Sequence, residues 1–224
     1  MAKAPNSTPR RIAVGIDVAE ERKGLDIVAL DLDRRLLESA GHQSVEGAAQ
    51  LVLEQIRPEI VCIDSPSSWS RSGKSRAAER ELRVLGITAF CTGPDPGSHP
   101  FYRWMQVGFS IYAALAPTYT LFRAGDPAKS AAEVFPEASA VLLAGRLRCR
   151  DETKLTFRRE VLSQHGVEVS GLPTIDRVDA ALAALTGLRS LEGSCTAVGD
   201  PAEGVILLPV AELPARPLRR AGAR

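Results

Sequence analysis

A chain of 224 residues with 45% hydrophobic and 25% charged residues has the composition of an ordinary globular protein, long enough to bury a substantial core in one domain. Its net charge of +1 argues against a dedicated polyanion-binding tail and leaves room for a local basic patch. No apolar run approaches the roughly 20 residues needed to cross a bilayer, and the opening MAKAPNSTPRR has no apolar signal-peptide core, so a cytoplasmic protein without membrane association is expected.

The run RIAVGIDVA, Arg11 to Ala19, is apolar apart from one glycine and leads into a single carboxylate, Asp17, which predicts a buried strand with a charge at its carboxyl end. GLDIVALDLD and RRLLESAGHQ follow with hardly a gap and predict an antiparallel meander. Ser44 is a natural N-cap for a helix reaching Ile56, with Val45, Ala48, Ala49 and Val52 at helical spacing. Beyond Pro58, EIVCIDSP is a second apolar run closing on Asp64, and the intervening helix makes it a parallel neighbour of the first strand. KSRAAERELRVLG reads as a helix stopped by Gly86, ITAFCT as a short strand and residues 94–100 as a loop. A helix is predicted at YRWMQVGFSIYAAL, and a short strand ending near Glu133 in SAAEVFPEAS, with Pro136 opening the next helix. Helices from about Thr153 to His165 and Thr174 to Leu191 come next, then a hairpin made by CTAVGD and GVILLP. One domain is expected over residues 11–211, with 1–10 and 212–224 as flexible tails. The four cysteines, Cys62, Cys91, Cys149 and Cys195, form no C-x-x-C pair and are expected as buried reduced thiols.

An antiparallel meander followed by parallel strands and helices makes a mixed sheet in an α/β domain, where sites gather at the carboxyl ends of strands. Asp17, Asp64 and Glu133 all fall there. Each has a plainer reading: Asp17 and Asp64 as turn-forming side chains, Glu133 as a cap or a solvated strand end. In TIDRVDAALAALTGL, Asp176 and Asp179 share a helix face beside a stripe of small residues. Both suit a helix first turn, but Asp179 sits deeper and is favoured for a site. Carboxylates brought together this way repel one another unless a cation is present, and hard oxygen ligands suit Mg²⁺ or Mn²⁺. Two such ions can stabilise the attacking and leaving oxygens of a phosphodiester. Zinc is not expected, since His42, His99 and His165 are scattered. The charge run at Arg71, Lys74, Arg76, Arg80 and Arg83 is either a solvated helix or a phosphate grip close to Asp64, with Lys74 and Arg76 as the candidates. Lys154, Arg158 and Arg159 share that ambiguity. Trp69 and Trp104 either stack on bases or pack.

The segments GIDVA, IDSPSSWS, RAAERELR, EVFPEAS, DRVDAALAAL and GDPAEGVILLP, in this order, resemble the family of predicted ribonuclease-H-like nucleases known as domain of unknown function 429. The resemblance runs from about Arg11 to Pro209. It implies a ribonuclease-H-like mixed sheet flanked by helices and a metal-dependent nuclease acting on nucleic acid. The family's acidic positions correspond to Asp17, Asp64, Glu79, Glu133, Asp176 and Asp179, of which Asp17, Asp64, Glu133 and Asp179 are the expected catalytic set. Two alternatives stand beside it. One is a nucleotide-binding or phosphotransfer protein of the actin and sugar-kinase type, which would carry a second copy of the core that the sequence lacks. The other is a non-catalytic module that binds nucleic acid or protein on the same fold.

Overall fold

Alternation on the first strand decides how the molecule is layered. In the computed structural model, which describes residues 11–71, 73–97 and 99–220, Ile12–Asp17 forms β1. It pairs antiparallel with β2 (Leu25–Asp31), which pairs antiparallel with β3 (Leu36–Gln43). Helix α1 (Val45–Gln50) is capped by the Ser44 side chain, which accepts from Gly47 N–H, and continues as a π-helical segment, Leu51–Ile56. The chain then enters β4 (Ile60–Asp64), parallel to β1. Next come α2 (Ala77–Val84), α3 (Arg103–Leu115), β5 (Thr120–Leu121) and β6 (Ser130–Glu133), the last parallel to β4. Three helices follow, α4 (Pro136–Ala144), α5 (Lys154–Gln164) and α6 (Ile175–Leu191), before the antiparallel pair β7 (Thr196–Asp200) and β8 (Gly204–Leu208).

The sheet order is β3-β2-β1-β4-β6-β8-β7, with β5 also pairing to β6. An antiparallel meander is thus extended by parallel strands and flanked by helices, the ribonuclease-H-like α/β arrangement that the motif order implies. Residues 13, 15 and 17 of β1 face one layer, and residues 14 and 16 face the other. On the first side Ala13 and Cys62 pack with the alanines and leucines of α6; on the second, Val14, Ile16 and Ile63 pack with α1 and α3. The close approach of α6 depends on Gly15. A Cβ there would lie 1.9 Å from the Ala180 carbonyl oxygen and 2.4 Å from Ala184 N, so only glycine lets the helix backbone rest on the strand.

Three expectations need correction. Residues 87–92 form no strand, and backbone groups at both ends of the segment are spent elsewhere: Ile87 N–H donates to the Leu82 carbonyl, and Thr92 N–H to the Glu79 carboxylate at 2.8 Å. The segment after residue 211 is not a free tail as far as Arg220. Leu218 N–H bonds to the Leu85 carbonyl, Leu147 N–H to the Arg219 carbonyl, and Leu218 packs against the main core. The remaining tail residues, 1–10 and 221–224, lie outside the described residues. Of the four free cysteines only Cys62 is buried; Cys91 is exposed, and Cys149 and Cys195 are half-buried. Among the described residues no helix is long and apolar enough to cross a membrane.

Candidate metal centre

Asp17 and Asp64 end neighbouring parallel strands and are direct partners in the β1–β4 register, so their side chains leave the same face of the sheet side by side. That face is covered by α6. Because Gly15 draws Ala180 and Ala184 onto β1, the preceding residue, Asp179, is carried to the strand ends. The result is one carboxylate oxygen from each of Asp17, Asp64 and Asp179 within 4.8 Å of the others. Asp17 is 9% and Asp179 6% exposed, while Asp64 is half-buried.

Burial is the main force on these acids. It pushes the pKa of Asp17 well up, with the charges of Asp64, Asp179 and Asp176 adding to the rise and Lys23 opposing it. Asp64 is raised by burial and by Asp179, against the opposing influence of Arg158, Lys154 and a hydrogen bond with Asp17. Asp179 is raised by burial too, although the Arg158 guanidinium beside it works the other way. Arg158 is itself buried, forming ion pairs with Asp179 and, at 2.7 Å, with Glu137. Among the described residues neither Asp17 nor Asp64 forms an ion pair. A carboxyl pair with no ion-pair partner and only oxygen donors fits a hard divalent ion such as Mg²⁺ or Mn²⁺.

The other predicted residues lie elsewhere. Glu133 is opposite Ile63 in the β4–β6 register, one residue short of Asp64, and therefore leaves the opposite face of the sheet. There it takes a two-pronged ion pair from Arg76, one branch at 2.8 Å, and accepts from Ser67 N–H at 2.8 Å. Glu79 shares the same guanidinium through Arg76 Nε at 3.0 Å. Arg76, expected to grip substrate, is 1% exposed and wholly engaged by these two carboxylates. Lys74 is exposed. Asp176 points to Lys23, 2.7 Å away in the turn between β1 and β2, rather than joining the three-carboxylate group. Trp69 packs edge-on against Tyr102 and Phe109, and Trp104 edge-on against Phe90.

Two positioning groups have no mark in the sequence reading. Glu203 accepts from Ser70 Oγ (3.1 Å), Arg71 N–H (2.9 Å) and Ala77 N–H (3.0 Å), tying the β7–β8 turn to the loop that follows Asp64. Burial alone would raise its pKa, but the N–H donors of Ala77 and Arg71 bring it below the usual carboxylate range. Asp26, on β2, holds Arg177 of α6, and Arg177 Nη1 also donates to Ser39 Oγ at 2.6 Å. A GDPAEG turn and an Arg beside a candidate acid were the available signals, and both are indistinguishable in sequence from solvated charge.

None of the curated proteins matches the chain. It is similar to a solved structure, Thermus thermophilus RuvC, at 15% sequence identity and a TM-score of 0.44, over 81% of this chain and 96% of that one. The family model described as a protein of unknown function (DUF429) matches residues 15–203. That span opens on the glycine that seats α6, contains Asp17, Asp64 and Asp179 with the whole Arg76 network, and closes on Glu203; the chain belongs to the DUF429 family.

Proposed function

We propose that the chain is a metal-dependent nuclease that cleaves phosphodiesters at the carboxyl ends of β1 and β4. The observation that carries this reading is the convergence of three carboxylates, Asp17 and Asp179 buried and Asp64 half-buried, at a sheet edge open through Asp64; among the described residues Asp17 and Asp64 form no ion pair. Asp17, Asp64 and Asp179 would hold Mg²⁺ or Mn²⁺. When bound, such ions stabilise negative charge on the attacking and leaving oxygens of a phosphodiester and lower the pKa of water.

The chain's own residues do the rest. Arg158 grips Asp179 and fixes its carboxylate against the strand ends, while Glu137 fixes Arg158 from behind. Glu133, assigned no ligand role, holds the loop after Asp64 through Ser67 N–H, and Glu203 holds the same loop from its other side. Lys74, exposed on that loop, is the residue suited to a substrate phosphate. The expected partner is nucleic acid.

The test is cleavage of single- and double-stranded DNA and RNA in Mg²⁺ and in Mn²⁺. Asp17→Asn keeps the side-chain size and removes the charge, so activity should fall by orders of magnitude. Wild-type rates in Asp17→Asn would rule out this centre.

A further inference from the structure

Beside the carboxylate group lies a second feature with a different chemistry. At the end of β4 a cavity extends from Asp64 and Ser65, past the ion pairs that Arg76 forms with Glu79 and Glu133, to Phe90 and Trp104, with Thr92 and Phe135 among its walls. Phe90 is 40% exposed, and the neighbouring Phe101 is 55% exposed. Their ring centroids lie 5.6 Å apart with a 34° tilt, and Trp104 meets Phe90 edge-on at 5.9 Å. Soluble proteins rarely leave such rings open to water in a group without a use.

The polar side of the cavity is equally unusual. Thr92 is 1% exposed, yet among the described residues its hydroxyl has no hydrogen-bond partner. Its backbone is fixed in place by the bond from Thr92 N–H to Glu79. A buried hydroxyl without a partner is costly, and a ligand with a polar edge relieves that cost. A flat π face for Phe90 and Trp104, a hydrogen-bonding edge for Thr92 and a connection to Asp64 are together the properties of a nucleobase. A base inside a duplex is already stacked and paired, so only an unpaired one can enter.

We infer that this cavity receives an unpaired nucleobase adjoining the phosphate presented to Asp17, Asp64 and Asp179, an inference that rests on the proposed nuclease function. The preferred substrate is therefore single-stranded, or a duplex with an extruded base.

The test uses the full chain with Ca²⁺ in place of Mg²⁺ and fluorescein-labelled DNA and RNA of about a dozen nucleotides, as single strands, duplexes and strands carrying base-free residues. Single strands should bind more tightly than duplexes. Phe90→Ala, a change at an exposed ring, should weaken them roughly tenfold and abolish the difference between ordinary and base-free strands. Thr92→Val, which keeps the shape, should lose part of the same difference. The DNA and RNA arms identify which nucleic acid is preferred. Unchanged affinity in Phe90→Ala, or equal binding of base-free strands by wild type, overturns the inference. Returning the samples to Mg²⁺ separates the two readings. Asp17-dependent cleavage alongside Phe90-independent binding overturns the base cavity alone, whereas Phe90-dependent binding without any cleavage upholds it and overturns the nuclease.

Discussion

Two groups of carboxylates lie on opposite faces of the same sheet, and they solve the same electrostatic problem in different ways. Glu79 and Glu133 are buried with a cation that the chain supplies, Arg76, which forms ion pairs with both. Among the described residues Asp17 and Asp64 are brought together without an ion pair, and of the three only Asp179 forms one, with Arg158. The residue types are nearly identical. The difference is whether the fold closes the charge balance from within or leaves it open. A self-balanced group holds structure together; an unbalanced one is suited to chemistry.

That contrast can be broken most forcefully at Arg76. Arg76→Ala strands two buried carboxylates, so the protein should lose about 3–5 kcal/mol of stability in chemical denaturation, while any folded fraction keeps its response to Mn²⁺. A loss below about 1 kcal/mol would mean that Glu79 and Glu133 are not balanced by this guanidinium. Gly15→Ala strikes both stability and site, since its Cβ meets the Ala180 carbonyl oxygen and must push α6, with Asp179, away from β1. It should cost about 1–3 kcal/mol and, unlike Arg76→Ala, weaken the Mn²⁺ response in proportion to folded protein.

The titration of the unbalanced group gives a finer comparison. Asp17 and Asp64 are raised, by burial first, above the ordinary carboxyl value of 3.8. Between that value and their folded values the native protein holds protons that the unfolded chain has released. The metal-free protein should therefore lose stability as pH rises from about 4 through neutrality, by at most about 1.4 kcal/mol per pH unit per proton. Asp17→Asn should flatten this slope; a wild-type slope in that variant would place the perturbed group elsewhere. The smallest effect belongs to Lys23, half-exposed beside Asp176. Lys23→Ala should change stability by less than about 1 kcal/mol, read from thermal melts at low and high salt.

Sequence made one of the two groups readable and hid the other. Asp17 and Asp64 each close an apolar run, and a crossover helix between the runs sets the strands parallel, so their meeting follows from pattern. Asp179 was legible through the small residues after it, because Ala180, Ala183 and Ala184 announce close packing. Glu133 was not. Its strand has four residues, SAAE, too short and too rich in alanine to reveal that it pairs with Ile63 rather than Asp64. One residue of register sends it to the other face. Arg76 was hidden for a related reason: in a charge run it looks solvated, and its burial depends on Glu133, 57 positions away. The segment ending at Arg220 looked like a tail because the backbone partners that secure it, Leu85 and Leu147, are distant in sequence.

The central claim is that Asp17, Asp64 and Asp179 await a cation while Glu79 and Glu133 already have one. Thermal melts of wild type, Asp179→Asn and Glu133→Gln in EDTA and in Mn²⁺ test it most directly. With Mn²⁺ at a hundred times its dissociation constant wild type should gain about 2.7 kcal/mol. Asp179→Asn should lose most of that gain, and Glu133→Gln should retain it although its own stability is lower. A full Mn²⁺ gain in Asp179→Asn, or its disappearance in Glu133→Gln, would contradict the account.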